Sequence, residues 1–149
     1  MDLSELVTRE RVRDTYARYT HAGDRFLLDD LAACFTPDGV LEIAGASTVT
    51  GRSAIRELLG GGGRPQETRV APRSVRHFVS NLQFTSVGAA QVEASAYFQV
   101  LVESDAHSGL DHWGRYRDVL APVGDEWLFA HRTVRVDFAV PGGWYAARR

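Results

Sequence analysis

The sequence contains no lysine, a single cysteine and no long apolar run. All 17 basic residues are arginine, a bias that we attribute to genomic base composition rather than to function. A lone cysteine, Cys34, excludes an intrachain disulfide and a zinc cluster, and its apolar neighbours favour packing over catalysis. No apolar run approaches the length of a membrane span, and the first residues do not resemble a signal peptide. We therefore expect a soluble, cytoplasmic protein.

Charge and composition exclude further classes of protein. The net charge is -2 and no long basic run occurs, which argues against nucleic acid as the main partner. A hydrophobic fraction of 44% is typical of a globular chain, and 149 residues suit one domain. The five histidines lack the close helical spacing of zinc ligands, and no dinucleotide fingerprint occurs. No metal and no cofactor is predicted.

Periodicity predicts helices in the first half of the chain and long strands in the second. Apolar residues at helical spacing predict helices over 4–22, 25–35 and 51–59. Alternation predicts strands over 40–43, 47–50, 74–85, 89–103, 109–121 and 126–138. Short glycine-containing turns join the later strands into antiparallel hairpins. This order indicates an α+β fold with three N-terminal helices on one face of a strongly curved antiparallel sheet.

No domain boundary interrupts the chain, so residues 1–149 are treated as a single domain with its core at 8–138. Residues 60–72 are predicted to be a flexible loop, because four consecutive glycines hold no fixed shape cheaply. Residues 139–149 form a C-terminal tail. It contains a turn followed by Trp144 and Tyr145, which are candidates to cover a pocket mouth or to contact a partner.

Residues 76–81 are the most informative stretch of the sequence. Strand alternation places His77, Val79, Asn81 and Gln83 on one face. Imidazole exchanges a proton near neutral pH, so a histidine on a strand that lines a cavity is the usual proton carrier of a cofactor-free enzyme. The alternative interpretation is a histidine that is hydrogen-bonded in the core or at an interface.

An ordered set of motifs carries a family resemblance. In chain order the set is Arg18-Tyr19, Asp24, Leu31, Phe35, Pro37-Asp38-Gly39-Val40, Gly51-Arg52-Ser53-Ala54-Ile55, His77-Phe78-Val79-Ser80-Asn81, Ala96-Tyr97-Phe98, Gly114-Arg115-Tyr116-Arg117-Asp118 and Trp127-Leu128-Phe129-Ala130-His131-Arg132. At these spacings the set resembles the SnoaL-like branch of the NTF2-like superfamily over about residues 8–138. The resemblance implies a cone-shaped α+β barrel whose helices and curled sheet enclose a deep pocket.

The resemblance also implies candidate chemistry. The family is similar to scytalone dehydratase, bile-acid dehydratases, ketosteroid isomerase, limonene-epoxide hydrolase and polyketide cyclases, and it includes non-catalytic binding modules. In its dehydratase-like members a tyrosine and an aspartate near the first helix meet a strand histidine, and Tyr19, Asp24 and His77 match those positions. The sequence departs from the family at Leu27, where many members carry a second acid. That departure puts in doubt any chemistry that needs two carboxylates there.

Each candidate catalytic residue has an assigned role and an alternative. Asp24 would orient the His77 ring and fix its tautomer, or else it would cap the second helix. Tyr19 would donate a hydrogen bond to a substrate carbonyl or a departing hydroxyl, or else it would be a core tyrosine. Two further residues, His112 and Trp113, are expected near the pocket rim. The substrate-binding candidates are Tyr16, Asn81, Tyr97, Trp113, Tyr116, His131 and Arg132.

Alternation limits which of these side chains can reach a pocket. Tyr116 is expected to point inward with Gly114 and Asp118, because a small residue followed by an aromatic one suits a cavity wall. His131 and Arg132 lie on opposite faces of the last strand, so only one of them can point inward.

The leading functional prediction is a dehydratase, isomerase or cyclase of secondary metabolism that acts on a hydrophobic, polyketide- or steroid-like substrate. His77 would remove a proton next to a carbonyl group. One alternative is epoxide opening, for which Asp24, Arg132 and Asp118 loosely match an Asp-Arg-Asp set. Another is a non-catalytic binding module. We expect no nucleic acid or membrane partner, and a homodimer through the convex sheet face, which is too apolar to stay in water.

Overall fold

The structure, a computed structural model, describes residues 1–60, 72–105 and 108–147. Its helices are α1 (Leu3–Asp24), α2 (Leu28–Ala33), α3 (Arg52–Leu59) and α4 (Trp144–Ala147). Its strands are β1 (Phe35–Ile43), β2 (Ser47–Thr50), β3 (Ser74–Val87), β4 (Val92–Glu103), β5 (Ser108–Val123) and β6 (Glu126–Ala139). Apart from its two end residues, the loop predicted at 60–72 lies outside the described residues. Within the described ranges, none of the helices is long and apolar enough to cross a membrane.

Helix α1 begins with a side-chain cap from Asp2 and ends at Asp24, one of the candidate site residues. The carboxylate of Asp2 accepts the backbone N–H of Glu5 at 2.8 Å, which satisfies a donor that the helix cannot pair internally. The helix runs two residues beyond the predicted end, so Asp24 lies in its last turn. Helix α2 starts later than predicted, after Leu27, which makes no side-chain cap. Asp24 is therefore not the cap of the second helix.

Six strands form one curved sheet in the order β2-β1-β6-β5-β4-β3. Four of the neighbouring pairs are antiparallel, as expected, whereas β1 and β6 run parallel. The sheet does not close, so β2 and β3 are its edges. The predicted α+β class with N-terminal helices against a curved sheet is confirmed.

We call the side of the sheet that packs against α1 the inner face, and the other side the outer face. Strand β4 shows the division clearly, because every second residue is buried. Its buried, inner-face residues are Val92, Ala94, Ala96, Phe98, Val100 and Val102. The core therefore lies between the inner face and the helices, and any site inside the cone must be built from inner-face side chains.

A bulge in β3 changes which residues face inward. Between Ser80 and Gln83, β3 carries one residue more than β4, so the extra residue disturbs the pairing. Asn81 has a φ of 53°, in the left-handed region that asparagine tolerates better than most residues. Beyond the bulge Leu82 packs against the core, while Gln83 is exposed. The prediction that Asn81 and Gln83 share a face with His77 is wrong.

Candidate active site

His77 and Asp24 are held together by two hydrogen bonds to one oxygen. The Nδ1 atom of His77 lies 2.6 Å from Oδ1 of Asp24. The same oxygen accepts the backbone N–H of His77 at 3.0 Å. Because β3 is an edge strand, a carboxylate at the end of α1 takes the place of a neighbouring strand at this N–H. The exposed fractions are 21% for the imidazole and 13% for the carboxylate, so the pair is shielded but reachable.

The orientation of the His77 ring follows from this contact. Nδ1 faces the carboxylate, so Nε2 is the nitrogen that can exchange a proton with a ligand. No described residue hydrogen-bonds to Nε2 of His77. The arrangement is the one expected of a general base that a carboxylate orients. The catalytic roles of both residues stay predictions.

A fully buried ion pair lies on the inner face, between the strands and α1. Arg132 donates from Nε and Nη2 to the two carboxylate oxygens of Asp118, at 2.9 and 2.8 Å. Neither side chain has any exposed surface. The hydroxyl of Tyr16 also donates to Asp118. Among the described residues, Nη1 of Arg132 is a buried nitrogen without a hydrogen-bond partner. The two N–H donors on Nη1 of this positively charged side chain are thus left for a ligand.

Four aromatic rings surround the guanidinium group. Its carbon lies 3.8 Å from the ring centre of Phe129, 4.0 Å from Tyr116, 4.3 Å from Tyr19 and 4.8 Å from Tyr16. The negative faces of such rings attract a cation, and the attraction is stronger away from water. Burial alone would lower the pKa of Arg132, but the charge of Asp118 raises it well above the ordinary value. The guanidinium therefore remains charged inside the protein.

The buried tyrosines stay protonated. Burial raises the pKa of Tyr16, Tyr19 and Tyr116 above the ordinary value of 10.0, and the charge of Arg132 offsets this only in part. The pKa of Tyr116 is raised further by Tyr19 and by the carboxylate of Asp24. Tyr116 is thus electrostatically linked to the Asp24–His77 pair. The hydroxyls of Tyr16, Tyr19 and Tyr116 are all hydrogen-bond donors at neutral pH.

The sequence-based candidates divide into two groups. Tyr16, Tyr19, Tyr116 and Arg132 meet in the interior, and the expected inward position of Tyr116 is correct. Four others lie away from it: Asn81, Tyr97, Trp113 and His131. A ligand inside the cone would contact only the first group.

Strand geometry explains why those four do not reach the interior. Asn81 is the exposed bulge residue of β3. Tyr97 is 57% exposed on the outer face. Trp113 stacks on Phe138 there, with ring centres 4.2 Å apart, because adjacent residues of a strand point to opposite sides. His131 faces outward too, with Nε2 3.1 Å from a carboxylate oxygen of Glu42. Their expected contacts with a pocket are wrong.

A second imidazole–carboxylate pair was not among the sequence-based site residues. Nδ1 of His112 lies 2.7 Å from Oδ2 of Asp111, which is fully buried. The Asp111 carboxylate also accepts the backbone N–H groups of Trp144 at 2.6 Å and Tyr145 at 3.1 Å, at the start of α4. The tail aromatics therefore cover the His112 end of β5. The only sequence signal is the adjacent Asp-His, which strand alternation would have placed on opposite faces.

Two surface grooves lie along α1, and neither is lined by His77 or Asp24. One, of about 460 Å³, runs between the first half of α1 and the β5–β6 turn. The other, of about 340 Å³, lies between the end of α1 and α2. Among the described residues, no three His, Cys, Asp or Glu side chains are grouped so that they could hold a metal ion.

The sequence matches the family model of the SnoaL-like domain over residues 4–133. The chain belongs to the SnoaL-like family. The resemblance read from the ordered motifs is confirmed. No curated protein matches the sequence significantly.

Solved structures share this SnoaL-like fold. One from Catenulispora acidiphila is 30% identical, covers 91% of this chain and 96% of its own, and has a TM-score of 0.79. A scytalone dehydratase-like protein from Novosphingobium aromaticivorans is 22% identical, with coverage of 91% and 87% and a TM-score of 0.77. A hexachlorocyclohexane dehydrochlorinase, LinA type 2, is 18% identical, with coverage of 94% and 92% and a TM-score of 0.77. At these identities the last two show the fold alone.

The buried ion pair generates a prediction about stability. Asp118→Asn keeps the shape of the side chain but leaves Arg132 as an uncompensated buried charge, so we expect a loss of about 3–5 kcal/mol. Asp137→Asn is the matched control, because Asp137 pairs with Arg115 on the exposed outer face and such pairs contribute up to about 1 kcal/mol. Urea unfolding of both variants measures the difference. Equal losses would contradict the importance assigned to the buried pair.

The raised tyrosine pKa values generate a prediction about alkaline pH. The unfolded chain loses phenol protons near the ordinary value of 10.0, whereas the folded chain holds them to higher pH. Stability from these three groups is therefore complete below about pH 10 and is lost as the pH rises further. We expect their phenolate absorbance to appear in one step together with the loss of circular dichroism, and Tyr16→Phe to remove one phenol from that step. Ionisation of all three with the fold intact would count against this.

Proposed function

We propose that the protein is a cofactor-independent dehydratase, isomerase or cyclase of a hydrophobic, polyketide- or steroid-like molecule. The observation that carries this proposal is the 2.6 Å contact between Nδ1 of His77 and the Asp24 carboxylate at the end of α1. Family membership adds support, because the structural neighbours include a scytalone dehydratase-like protein and a dehydrochlorinase. Both names describe reactions that form a double bond by removing a proton and a leaving group.

His77 is the proposed general base. Its Nε2 takes a proton from the carbon next to a substrate carbonyl, and the electrons of the C–H bond move toward the carbonyl oxygen. Asp24 holds the ring in one orientation and stabilises the imidazolium that forms. Expulsion of a leaving group from the neighbouring carbon then completes a dehydration, whereas return of the proton at another carbon completes an isomerisation.

Tyr19 and Arg132 are the proposed stabilisers of the negative charge that develops on the carbonyl oxygen. The hydroxyl of Tyr19 remains a donor because burial raises its pKa, and its ring lies 4.3 Å from the guanidinium carbon. Nη1 of Arg132 is the buried donor without a partner among the described residues. Donors fixed in advance in a water-poor interior stabilise a transition state more than they would in water. Tyr116 lies over the same guanidinium and completes this surface.

Epoxide opening is less well supported by the geometry. That chemistry needs two carboxylates and an arginine that together hold one water molecule. Asp118 and Arg132 are joined, but their hydrogen bonds are to each other and to Tyr16. Asp24 is instead bound to His77. No observation among the described residues favours epoxide opening over proton abstraction by His77.

His77→Gln tests the proposed base. The substitution keeps a polar side chain but removes the proton acceptor, so we expect turnover to fall about 10²–10⁴-fold. His131→Gln is the control, because His131 is on the outer face and its loss should leave turnover unchanged. Scytalone and related cyclic β-hydroxyketones are the first substrates to assay, by the absorbance of the dehydrated product. In parallel, deuterium uptake from heavy water into the ketone measures proton removal alone. A folded His77→Gln protein that keeps both rates refutes the mechanism.

We also propose that two copies associate through the outer face. That face exposes large apolar side chains, each between 37% and 57% exposed: Phe78, Tyr97, Leu101, Trp113 and Phe138. These side chains lie on the neighbouring strands β3 to β6, and single soluble chains rarely leave a large apolar patch in water. Closed two-fold pairing is the commonest way to cover one. The interface should bury about 1,200–2,000 Å² in total.

Light scattering at micromolar concentration tests the assembly. We expect twice the 16.5 kDa of one chain. The double variant Tyr97→Glu/Trp113→Glu should give the mass of a single chain, because charges placed in a buried patch oppose association. Leu3→Glu is the control, since Leu3 is an exposed apolar residue, at 75%, on α1, which packs against the inner face. A wild-type mass of one chain would end this proposal.

A further inference from the structure

The turn after α1 holds a phenylalanine in a backbone conformation that suits glycine. Phe26 has a φ of 57°, in the left-handed region that is unfavourable for a bulky side chain and free of cost for glycine. Two hydrogen bonds define this turn. The backbone N–H of Leu27 donates to the carbonyl of Ala22 at 2.9 Å, and that of Phe26 donates to the carbonyl of Gly23 at 3.1 Å. This is the Schellman ending of a helix, in which glycine is the usual residue at the position of Phe26.

Packing inside the protein does not compensate for this conformation. Phe26 is 47% exposed, and within the described ranges its ring contacts no other aromatic ring and no cation. The next residue, Leu27, has an evident role, because the apolar residue after the left-handed one packs on the last helical turn, and Leu27 lines one groove with Ala22. The Phe26 ring has no such role in ending the helix. An unfavourable φ of this kind is typical of ligand-contacting and active-site residues.

The turn places Phe26 beside the proposed base. Phe26 follows Asp24 by two residues, so their Cα atoms are at most about 7 Å apart. Asp24 holds the imidazole of His77, which is 21% exposed and therefore reachable from outside. The groove between α1 and α2 is lined by Arg25 and Leu27, but by neither Asp24 nor Phe26. Alternate residues of the turn thus serve different surfaces, and the exposed phenyl ring goes with the residue that orients the base.

We propose that Phe26 is a specificity-determining residue at the entrance to His77, where its ring packs on a second, flat apolar ring of the substrate. The assignment rests on the proposed function and narrows the substrate class to ketones with fused rings. Contact between two aromatic rings removes apolar surface from water and adds a preferred edge or offset geometry. Phe26 contacts the part of the substrate that does not react, so it contributes to affinity and not to the chemical step.

Phe26→Gly should change stability and affinity in opposite directions. Glycine adopts the left-handed conformation without cost, and the ring that it replaces is half exposed. We therefore expect the urea midpoint to rise above that of the wild-type protein. The same substitution removes the ring that the ligand contacts, so affinity should fall. A purely structural role for Phe26 predicts no loss of affinity in a variant that is more stable.

Two ketones that differ by one fused ring test the assignment. Tetralone carries a benzene ring beside the ring with the carbonyl group, whereas cyclohexanone has the carbonyl ring alone. In titrations followed by nuclear magnetic resonance, Phe26→Gly should raise the Kd of tetralone about tenfold and leave that of cyclohexanone nearly unchanged. Phe26→Tyr should restore tetralone binding. Leu27→Ala is the matched control, because Leu27 lines the groove between α1 and α2, and it should change neither Kd. In the deuterium-uptake assay, Phe26→Gly should raise KM for tetralone and leave kcat unchanged.

The binding and exchange measurements separate this assignment from the proposed function. Tetralone that binds with the expected dependence on Phe26 but takes up no deuterium would support the assignment and refute the proposed chemistry. An unchanged Kd for tetralone in Phe26→Gly would overturn the assignment, as would equal losses for both ketones. A wild-type protein that binds neither ketone would overturn it too. A lower urea midpoint in Phe26→Gly would show that the ring stabilises the fold, and would contradict a role confined to the ligand.

Discussion

The ion pair between Asp118 and Arg132 is the constraint on which the interior depends. Two charges removed from water are stable only when they are paired and hydrogen-bonded, so the surrounding residues must be placed accurately. The β5–β6 hairpin supplies the two charges, whereas α1 supplies the hydroxyl of Tyr16 and the ring of Tyr19. Helix and sheet are therefore joined by polar contacts as well as by apolar packing. The resulting position of α1 sets its last turn, and with it Asp24, against the edge of β3.

Helices and strands could be predicted from the sequence where apolar residues recur at a regular spacing. Helix α1 and the four long strands match their predicted ranges within about three residues, since apolar spacing reports directly on helix or strand. The pairing of Asp24 with His77 was implied by the family resemblance, since both residues match positions that meet in the dehydratase-like members. The parallel pairing of β1 with β6 could not be predicted, because it joins strands that are distant in the sequence. The outward positions of Tyr97 and Trp113 depend on that same tertiary arrangement.

Bulges decide several side-chain directions that the sequence left open or that were predicted wrongly. Counted equally on both strands from the β5–β6 turn, the partner of Asp118 would be His131. The structure pairs Asp118 with Arg132, because β6 carries Ala130 as an extra residue. That single residue decides that the arginine is buried and the histidine faces outward. The extra residue at Asp111 similarly lets two neighbours in sequence both be buried. A bulge has no reliable sequence signal, since it is defined by the partner strand.

Asp24 contacts the ring of the proposed base His77 and also binds a backbone N–H at the free edge of the sheet. The same residue therefore bears on the proposed chemistry and on resistance to aggregation. The free edge of a sheet is a template on which other chains can add strands, and soluble proteins cover or interrupt such edges. On β3 the backbone N–H of His77 donates to the carboxylate of Asp24, which the proposed chemistry also uses. Selection against aggregation and selection for turnover therefore act on the same carboxylate. In a lineage that no longer needs the reaction, a change of that residue would still be opposed by selection against aggregation.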